Sequence, residues 1–160
     1  MKLEFYFYFF QKKKKIFDYQ KNDEDQMKLL PRFLSSIDYL LRRTEDLQIR
    51  EKLILVIQSE MGRTPHYNKG DGKDHWSVGS IMFLGPGVQG NRVIGGTDDG
   101  QFPVPIDART LALNPDKGLR VRPEHLHVAL RELAGIAEHP FSQQFPFKVK
   151  DEEKLNAFWG

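Results

Sequence analysis

The chain has 160 residues, of which 39% are hydrophobic and 29% charged, and this composition suits one globular domain with its own hydrophobic core. Its formal net charge is only +2, so overall charge favours neither nucleic acid nor a membrane surface as a partner. The absence of cysteine excludes disulfides and thiolate metal sites, and no apolar run reaches the roughly 20 residues of a transmembrane helix.

Residues 1–26 differ in composition from the rest of the chain. They hold an all-aromatic run at 5–10 and a lysine cluster at 12–15. A secretory signal has its basic residues before the apolar run and a small-residue cleavage site after it, and neither is found here. We therefore expect 1–26 to be an atypical leader, and the localisation stays open. The alternatives are a cleaved signal and a basic arm that contacts membrane or RNA.

The first predicted element is a helix around residues 30–43, with Pro31 in its first turn. Its apolar residues are spaced as on one face of an amphipathic helix, and they are Leu30, Phe33, Leu34, Ile37, Leu40 and Leu41. The next apolar run, 53–57, is continuous, which is typical of a strand covered on both faces in a parallel sheet. A helix followed by such a strand predicts an α/β fold.

Further strands are predicted beyond a long polar segment. Residues 81–84 form a second short apolar run, and 92–95 are read as a third strand. The run 85–90 between them is rich in glycine and proline, which favours a turn.

A second helix is predicted to begin at Pro123, because proline fits the first helical position, and to end at Gly135. Residues 138–160 are rich in aromatic side chains and are expected to pack on the domain as an irregular tail with a terminal helical turn. No interdomain linker is evident, so residues 27–137 are predicted to form one α/β domain.

The polar segment between the first two strands carries a candidate carboxylate and a candidate guanidinium. Glu60 follows the strand at 53–57, and ligands of open α/β sheets bind beyond the carboxyl ends of the strands. Its carboxylate suits a divalent metal, or else it is a solvated acid or an ion-pair partner of Arg63. Arg63 has a planar charged group that suits phosphate, sulfate or carboxylate.

Histidines supply the other candidate ligands. Asp74 and His75 place an oxygen and a nitrogen ligand side by side, although a surface turn explains such a pair equally. His125 and His127 are two residues apart on the predicted second helix and therefore point to different faces. We predict that both serve the helix surface or its packing rather than a metal.

Three short motifs resemble a known family. They are Ser-Glu-Met-Gly-Arg-Thr-Pro at 59–65, Gly-Lys-Asp-His-Trp at 72–76 and Phe-Leu-Gly-Pro-Gly-Val-Gln-Gly at 83–90. Together they resemble a bacterial family of uncharacterised sulfatase-like proteins in the alkaline phosphatase superfamily, over roughly residues 28–137. The resemblance implies a partial alkaline-phosphatase-like sandwich, with a mostly parallel sheet flanked by helices.

The same resemblance implies an activity, the metal-dependent hydrolysis of small phosphate or sulfate esters. Glu60, Asp74 and His75 would bind a divalent metal (zinc, calcium or manganese), and Arg63 would bind the anionic ester. Met61 stands where a further histidine ligand falls in that family, and this substitution weakens a second metal site.

Length separates the chain from those relatives, which are much longer and often exported. The resemblance therefore predicts the carboxyl-terminal portion of such a hydrolase, without the half that holds the nucleophile and incomplete for catalysis alone. The alternative is a non-catalytic remnant or binding domain that retains the fold. Self-association, or a partner that supplies the missing amino-terminal half, would cover the open edge of a truncated sheet.

Overall fold

The computed structural model of the chain describes residues 24–159, with side chains from residue 27 onward. The leader predicted at 1–26 lies outside the described residues, except that 24–26 already belong to the first helix. The chain divides into two compact units, and the boundary falls between Pro86 and Gly87. No helix among the described residues is long and apolar enough to cross a membrane.

The first unit begins with α1, Glu24–Asp46, which confirms the first predicted helix and extends it at both ends. Pro31 consequently lies inside the helix and not in its first turn. Proline has no N–H to donate to the carbonyl four residues earlier, so α1 lacks one backbone hydrogen bond at this point. Leu30 and Leu34 of the predicted apolar face are 55% and 51% exposed.

Four short strands follow in the first unit, as two separate antiparallel pairs. After a 3-10 turn at Arg50–Lys52, they are β1 (Leu55–Gln58), β2 (Gly62–Arg63), β3 (His75–Trp76) and β4 (Ile81–Leu84). Strand β1 pairs with β4 in a register that sets Leu55 opposite Leu84 and Gln58 opposite Ile81. Strand β2 pairs with β3, so the β2–β3 hairpin lies in the chain between the two outer strands.

The prediction of a mostly parallel sheet in an alkaline-phosphatase-like sandwich is wrong for the described residues. The helix and strand content is mixed, as an α/β fold class requires in general, but every strand pair is antiparallel. Parallel neighbours need a crossover connection, which is usually a helix, whereas a hairpin returns the chain in the antiparallel direction. Residues 59–80 contain only the β2–β3 hairpin. The run at 81–84 is also apolar throughout, as expected of a buried strand, but Met82 within it is 47% exposed.

The second unit, residues 87–159, contains helices, 3-10 turns and isolated β-bridges. Residues 92–95 do not form the predicted strand. The elements of the second unit are α2 (Pro123–Leu133), α3 (Pro140–Gln144) and 3-10 turns at Asp151–Glu153 and Asn156–Phe158. Helix α2 begins at Pro123 as predicted, and Gly135 follows its end with a φ of 65°, which glycine adopts at little cost.

The core of the second unit joins its middle segment to its tail. Ile106, Leu111 and Leu155 are buried together, with exposures of 1%, 6% and 1%. The indole Nε1 of Trp159 donates a hydrogen bond of 2.9 Å to the carbonyl of Ala129 on α2. The tail therefore packs on other residues of the second unit, and its last element is the 3-10 turn at Asn156–Phe158.

Candidate functional site

The β2–β3 hairpin brings two predicted site residues into register. Arg63 pairs directly with His75 across the two strands, and Gly62 pairs with Trp76. Directly opposed residues of an antiparallel pair project from the same face, with Cβ atoms about 4.5–5.5 Å apart. The guanidinium of Arg63 and the imidazole of His75 therefore belong to one face of the hairpin.

Glycine at position 62 is required by a close approach of the backbone. A Cβ atom built on Gly62 would collide with the backbone carbonyl of Val78. Backbone atoms cannot move aside as a flexible side chain can, so a larger residue would displace β2 itself. Gly62 thus fixes the path of the strand that carries Arg63.

Thr64 closes the neck of the hairpin. Its side chain is 6% exposed, and its backbone N–H donates to the carbonyl of Asp74 at 3.0 Å. The N–H of Asp74 donates in return to Oγ1 of Thr64 at 3.1 Å, and that hydroxyl donates to the carbonyl of His66 at 2.9 Å. These bonds extend the strand pairing into the loop beyond Arg63 and His75.

Asn68 organises the rest of the loop. Its Oδ1 accepts hydrogen bonds from the backbone N–H groups of Gly70 and Gly72, at 2.9 and 3.2 Å. Its Nδ2 donates to Oδ1 of Asp74 at 2.9 Å. The sequence analysis assigned Asn68 no role of its own, although an asparagine followed by nearby glycines is a known signal for an Asx-type turn.

The four predicted site residues have different surroundings. Arg63 donates from Nη1 to the carbonyl of Lys73 at 3.1 Å, which orients the guanidinium beside β3. The carboxylate of Asp74 accepts a hydrogen bond from the side chain of Asn68 and so helps to fix the conformation of the loop. His75 is exposed on β3. Glu60 is also exposed, and its side chain forms no ion pair with Arg63 in the described structure.

The predicted metal ligands do not form a cluster in the described part of the chain. Among those residues, no group of three or more His, Asp or Glu side chains is placed to hold a metal ion. Glu60, Asp74 and His75 therefore do not provide a three-ligand site by themselves, and their assignment as metal ligands stays a prediction. Lys73, whose carbonyl accepts the hydrogen bond from Arg63, carries a further cation on this loop. Its Nζ lies 5.0 Å from the ring centre of Tyr67.

A family model matches most of the chain. The family is a group of proteins of unknown function, DUF1501, and the match covers residues 13–141. The chain belongs to this family. No curated protein and no solved structure matches the chain.

The family match corrects the resemblance drawn from the three motifs. No sulfatase or alkaline phosphatase family is detected, so the predicted membership of a sulfatase-like family in that superfamily is wrong. The motifs are short and fall largely on the hairpin and its flanking turns. Residues of such segments can serve the local structure, as Gly62 does at its close approach to Val78 and Thr64 does at the neck of the hairpin.

Proposed function

We propose that the chain binds small anionic esters, of the phosphate or sulfate class, on the face of the β2–β3 hairpin that carries Arg63 and His75. One observation carries this proposal, namely the direct cross-strand pairing of those two residues. A guanidinium offers a planar set of N–H donors that matches two oxygens of a phosphate or sulfate group. The imidazole opposite it adds a nitrogen that donates to the same group.

The bracing of the hairpin supports binding with little reorganisation. The neck is closed by Thr64 and the loop by Asn68, through side-chain bonds of 2.9–3.2 Å. A group that is already held in its bound geometry costs less entropy to order when a ligand arrives. Because both binding residues are only partly covered by protein, salt should weaken the interaction.

Calorimetric titration with inorganic phosphate and with phenyl sulfate tests this proposal. Replacing Arg63 by alanine should weaken phosphate binding about 10- to 100-fold, since a charge-assisted hydrogen bond contributes about 1.5–3 kcal/mol. Arg63→Lys keeps the charge but loses the fork, so it should restore only part of the affinity. Arg32→Ala, which removes an exposed arginine from α1, is the matched control and should bind as the native chain does. Equal affinity in native chain and Arg63→Ala would overturn the proposal.

A second candidate function is metal-dependent hydrolysis of the same esters. The observation that favours it is that Asp74 and His75, an oxygen and a nitrogen ligand, lie on the same hairpin as Arg63. Successive residues of an extended segment project to opposite faces, so Asp74 and His75 do not suit one ion equally well. The described residues do not fit a complete metal site, and we assign no catalytic step to a metal.

The two candidate functions differ in a simple assay. Hydrolysis predicts turnover of an aryl phosphate or aryl sulfate when zinc, calcium or manganese is added, together with a metal-dependent rise in melting temperature. The ligands of such an ion would be His75 and Glu60, with Asp74 as an orienting group. Binding of phosphate or sulfate without metal-dependent turnover would favour the first candidate, a domain that binds these anions without hydrolysing their esters. Equal turnover by native chain and His75→Ala would remove His75 from the hydrolase hypothesis.

A further inference from the structure

The imidazole of His125 is the most deeply buried titratable side chain of the second unit. It is 0% exposed and occupies the third position of α2. Its Nδ1 accepts a hydrogen bond of 2.9 Å from the backbone N–H of Arg122, and the backbone N–H of His125 donates to the Arg122 carbonyl at 3.1 Å. A glutamate or glutamine usually accepts this N-cap N–H at the start of a helix. Here a histidine takes that place, and histidine is the side chain whose ordinary pKa lies closest to neutral pH.

The other ring nitrogen of His125 has no hydrogen-bond partner among residues 24–159. Because Nδ1 accepts a hydrogen bond, the neutral ring must carry its proton on Nε2. That atom is buried and forms no hydrogen bond with any described residue. The nearest carboxylate oxygen is Oε2 of Glu153, at 3.9 Å, which is beyond hydrogen-bonding distance. Glu153 belongs to the 3-10 turn of the tail, and the same Oε2 accepts the N–H of Lys150 at 3.1 Å.

Charged groups from both elements act on this ring. Burial is the largest influence and lowers the pKa of His125, and the charge of Arg122 acts in the same direction. Glu153 from the tail and Glu124 from the first turn of α2 oppose that shift. When the ring becomes charged, its second proton would occupy Nδ1. That atom could then no longer accept the hydrogen bond from the backbone N–H of Arg122. The Nε2–H of the same charged ring would face the carboxylate of Glu153.

We propose that His125 is a pH-operated switch that exchanges partners between the two elements it touches. The neutral ring closes the first turn of α2 through Arg122. The charged ring gives up that bond and pairs with Glu153, so that acidification opens the start of α2 and draws the turn Asp151–Glu153 toward the ring. The exchange needs a movement of about 1 Å, the difference between the present separation and an ordinary charge-assisted hydrogen bond.

The sign of the pH dependence follows from the lowered pKa. The folded chain binds a proton at His125 less readily than the unfolded chain, whose histidine titrates at its ordinary pKa of 6.5. The stabilisation is therefore fully present above pH 6.5 and is lost as the pH falls below that value toward the lowered pKa of the folded state. The pKa of Glu153 is also lowered, mainly by the Lys150 N–H bond, so its contribution is lost only below its ordinary value of 4.5. A loss of stability that begins between pH 6.5 and 4.5 thus precedes any loss of the Glu153 contribution.

Nuclear magnetic resonance of the whole chain tests the switch. At pH 7.5, the nitrogen shifts of His125 should report the tautomer with its proton on Nε2, and the Arg122 amide should be protected from hydrogen exchange. As the pH is lowered from 7.5, the ring should become doubly protonated, and the Arg122 amide should lose its protection with the same midpoint. An Arg122 amide that keeps its protection after the ring has become doubly protonated would overturn the proposal.

Three variants sharpen the test. Glu153→Gln keeps the acceptor for Lys150 but removes the charge, so the midpoint for protonation of His125 should move to lower pH. An unmoved midpoint would contradict the pairing with Glu153. His125→Asn keeps an acceptor near the position of Nδ1 but does not titrate, so the Arg122 amide should stay protected through the pH range in which the native chain loses that protection. His127→Asn, on the exposed side of the same helix, is the control and should leave the response of Arg122 unchanged. If His125→Asn does not fold, the native chain and Glu153→Gln decide the question.

Discussion

The β2–β3 hairpin and the second unit are stabilised over different distances along the chain. In the hairpin, the bonds of Thr64 and Asn68 join residues no more than 10 positions apart. In the second unit, Arg92 donates to the carbonyl of Ala157 across 65 positions, and Leu155 of the tail completes the core. A polar bond within one loop can be removed without unfolding the rest of the chain. Removing an apolar contact between segments that are far apart in the sequence weakens the packing of both segments. The candidate binding residues therefore lie on a hairpin held by local polar bonds, and removing one such bond should cost less stability than removing a core side chain of the second unit.

The largest loss of stability is expected from the core of the second unit. Replacing Leu155 by alanine removes a side chain that is 1% exposed and leaves a cavity beside Ile106. Such changes typically cost about 2–5 kcal/mol, which urea denaturation followed by circular dichroism would measure. Val93→Ala, at a position 94% exposed, is the control and should change stability by less than about 0.5 kcal/mol. If both variants lowered the free energy of unfolding by less than about 0.5 kcal/mol, Leu155 of the tail would not contribute to the stability of the core.

A smaller loss is expected from Gly62→Ala, because the added Cβ meets the carbonyl of Val78. Overpacking of this kind costs about 1–3 kcal/mol, and the displaced strand should also weaken phosphate binding by Arg63. Gly90→Ala is a matched control, since nothing lies within 4 Å of a Cβ at that position. Denaturation and phosphate titration of both variants provide the measurement, and a Gly62→Ala variant with native stability would contradict the packing described.

The effect of Asn68→Ala should be confined to the loop. The substitution removes the acceptor for Gly70 and Gly72 and the donor to Asp74, at a cost of about 0.5–1.5 kcal/mol for each bond lost. Amides of the loop should exchange faster with solvent, while those of α2 should not change. Lys69→Ala, at the exposed neighbouring position, should leave the loop amides as they are in the native chain. Unchanged loop exchange in Asn68→Ala would mean that the backbone alone holds the loop.

The smallest effect is expected from Lys154→Gln. The Lys154 ammonium lies 3.0 Å from Asp151 and 3.6 Å from Glu132, and its side chain is 33% exposed. The hydrogen bond and charge of Asp151 raise the pKa of Lys154 above 10.5, so its contribution is present below that pH and is lost as the pH rises through the folded value. Exposed pairs of this kind contribute about 0–1 kcal/mol. Thermal unfolding at low and high salt would measure it, and a loss as large as that for Leu155→Ala would contradict this ranking.

The two longer helices were located from the sequence, whereas the short helix α3 and the pairing of the strands were not. The spacing of apolar residues located α1, and Pro123 located the start of α2, since both signals are local. The strands at 55–58 and 81–84 also lie within one or two residues of the predicted runs. Their antiparallel pairing depends on how residues 59–80 return the chain, which an apolar run does not encode.

The candidate site was predicted residue by residue but not as an arrangement. Arg63 and His75 were chosen for their chemistry, whereas their direct pairing depends on the register set by Thr64 and Asn68. The separation of His125 from His127 onto different faces was predicted and is confirmed, because one is buried and the other exposed. The unpaired Nε2 of His125 depends on a tail more than 20 residues away and has no signal in the local sequence.

Oxyanion binding on the hairpin face with Arg63 and His75 can be followed in a titration of the isotope-labelled chain with inorganic phosphate, through its backbone amide signals. We expect saturable shifts of Arg63, Lys73 and His75 and of their loop neighbours, which are lost in Arg63→Ala. Shifts confined to residues 87–159, or hairpin shifts that persist unchanged in Arg63→Ala, would contradict this expectation.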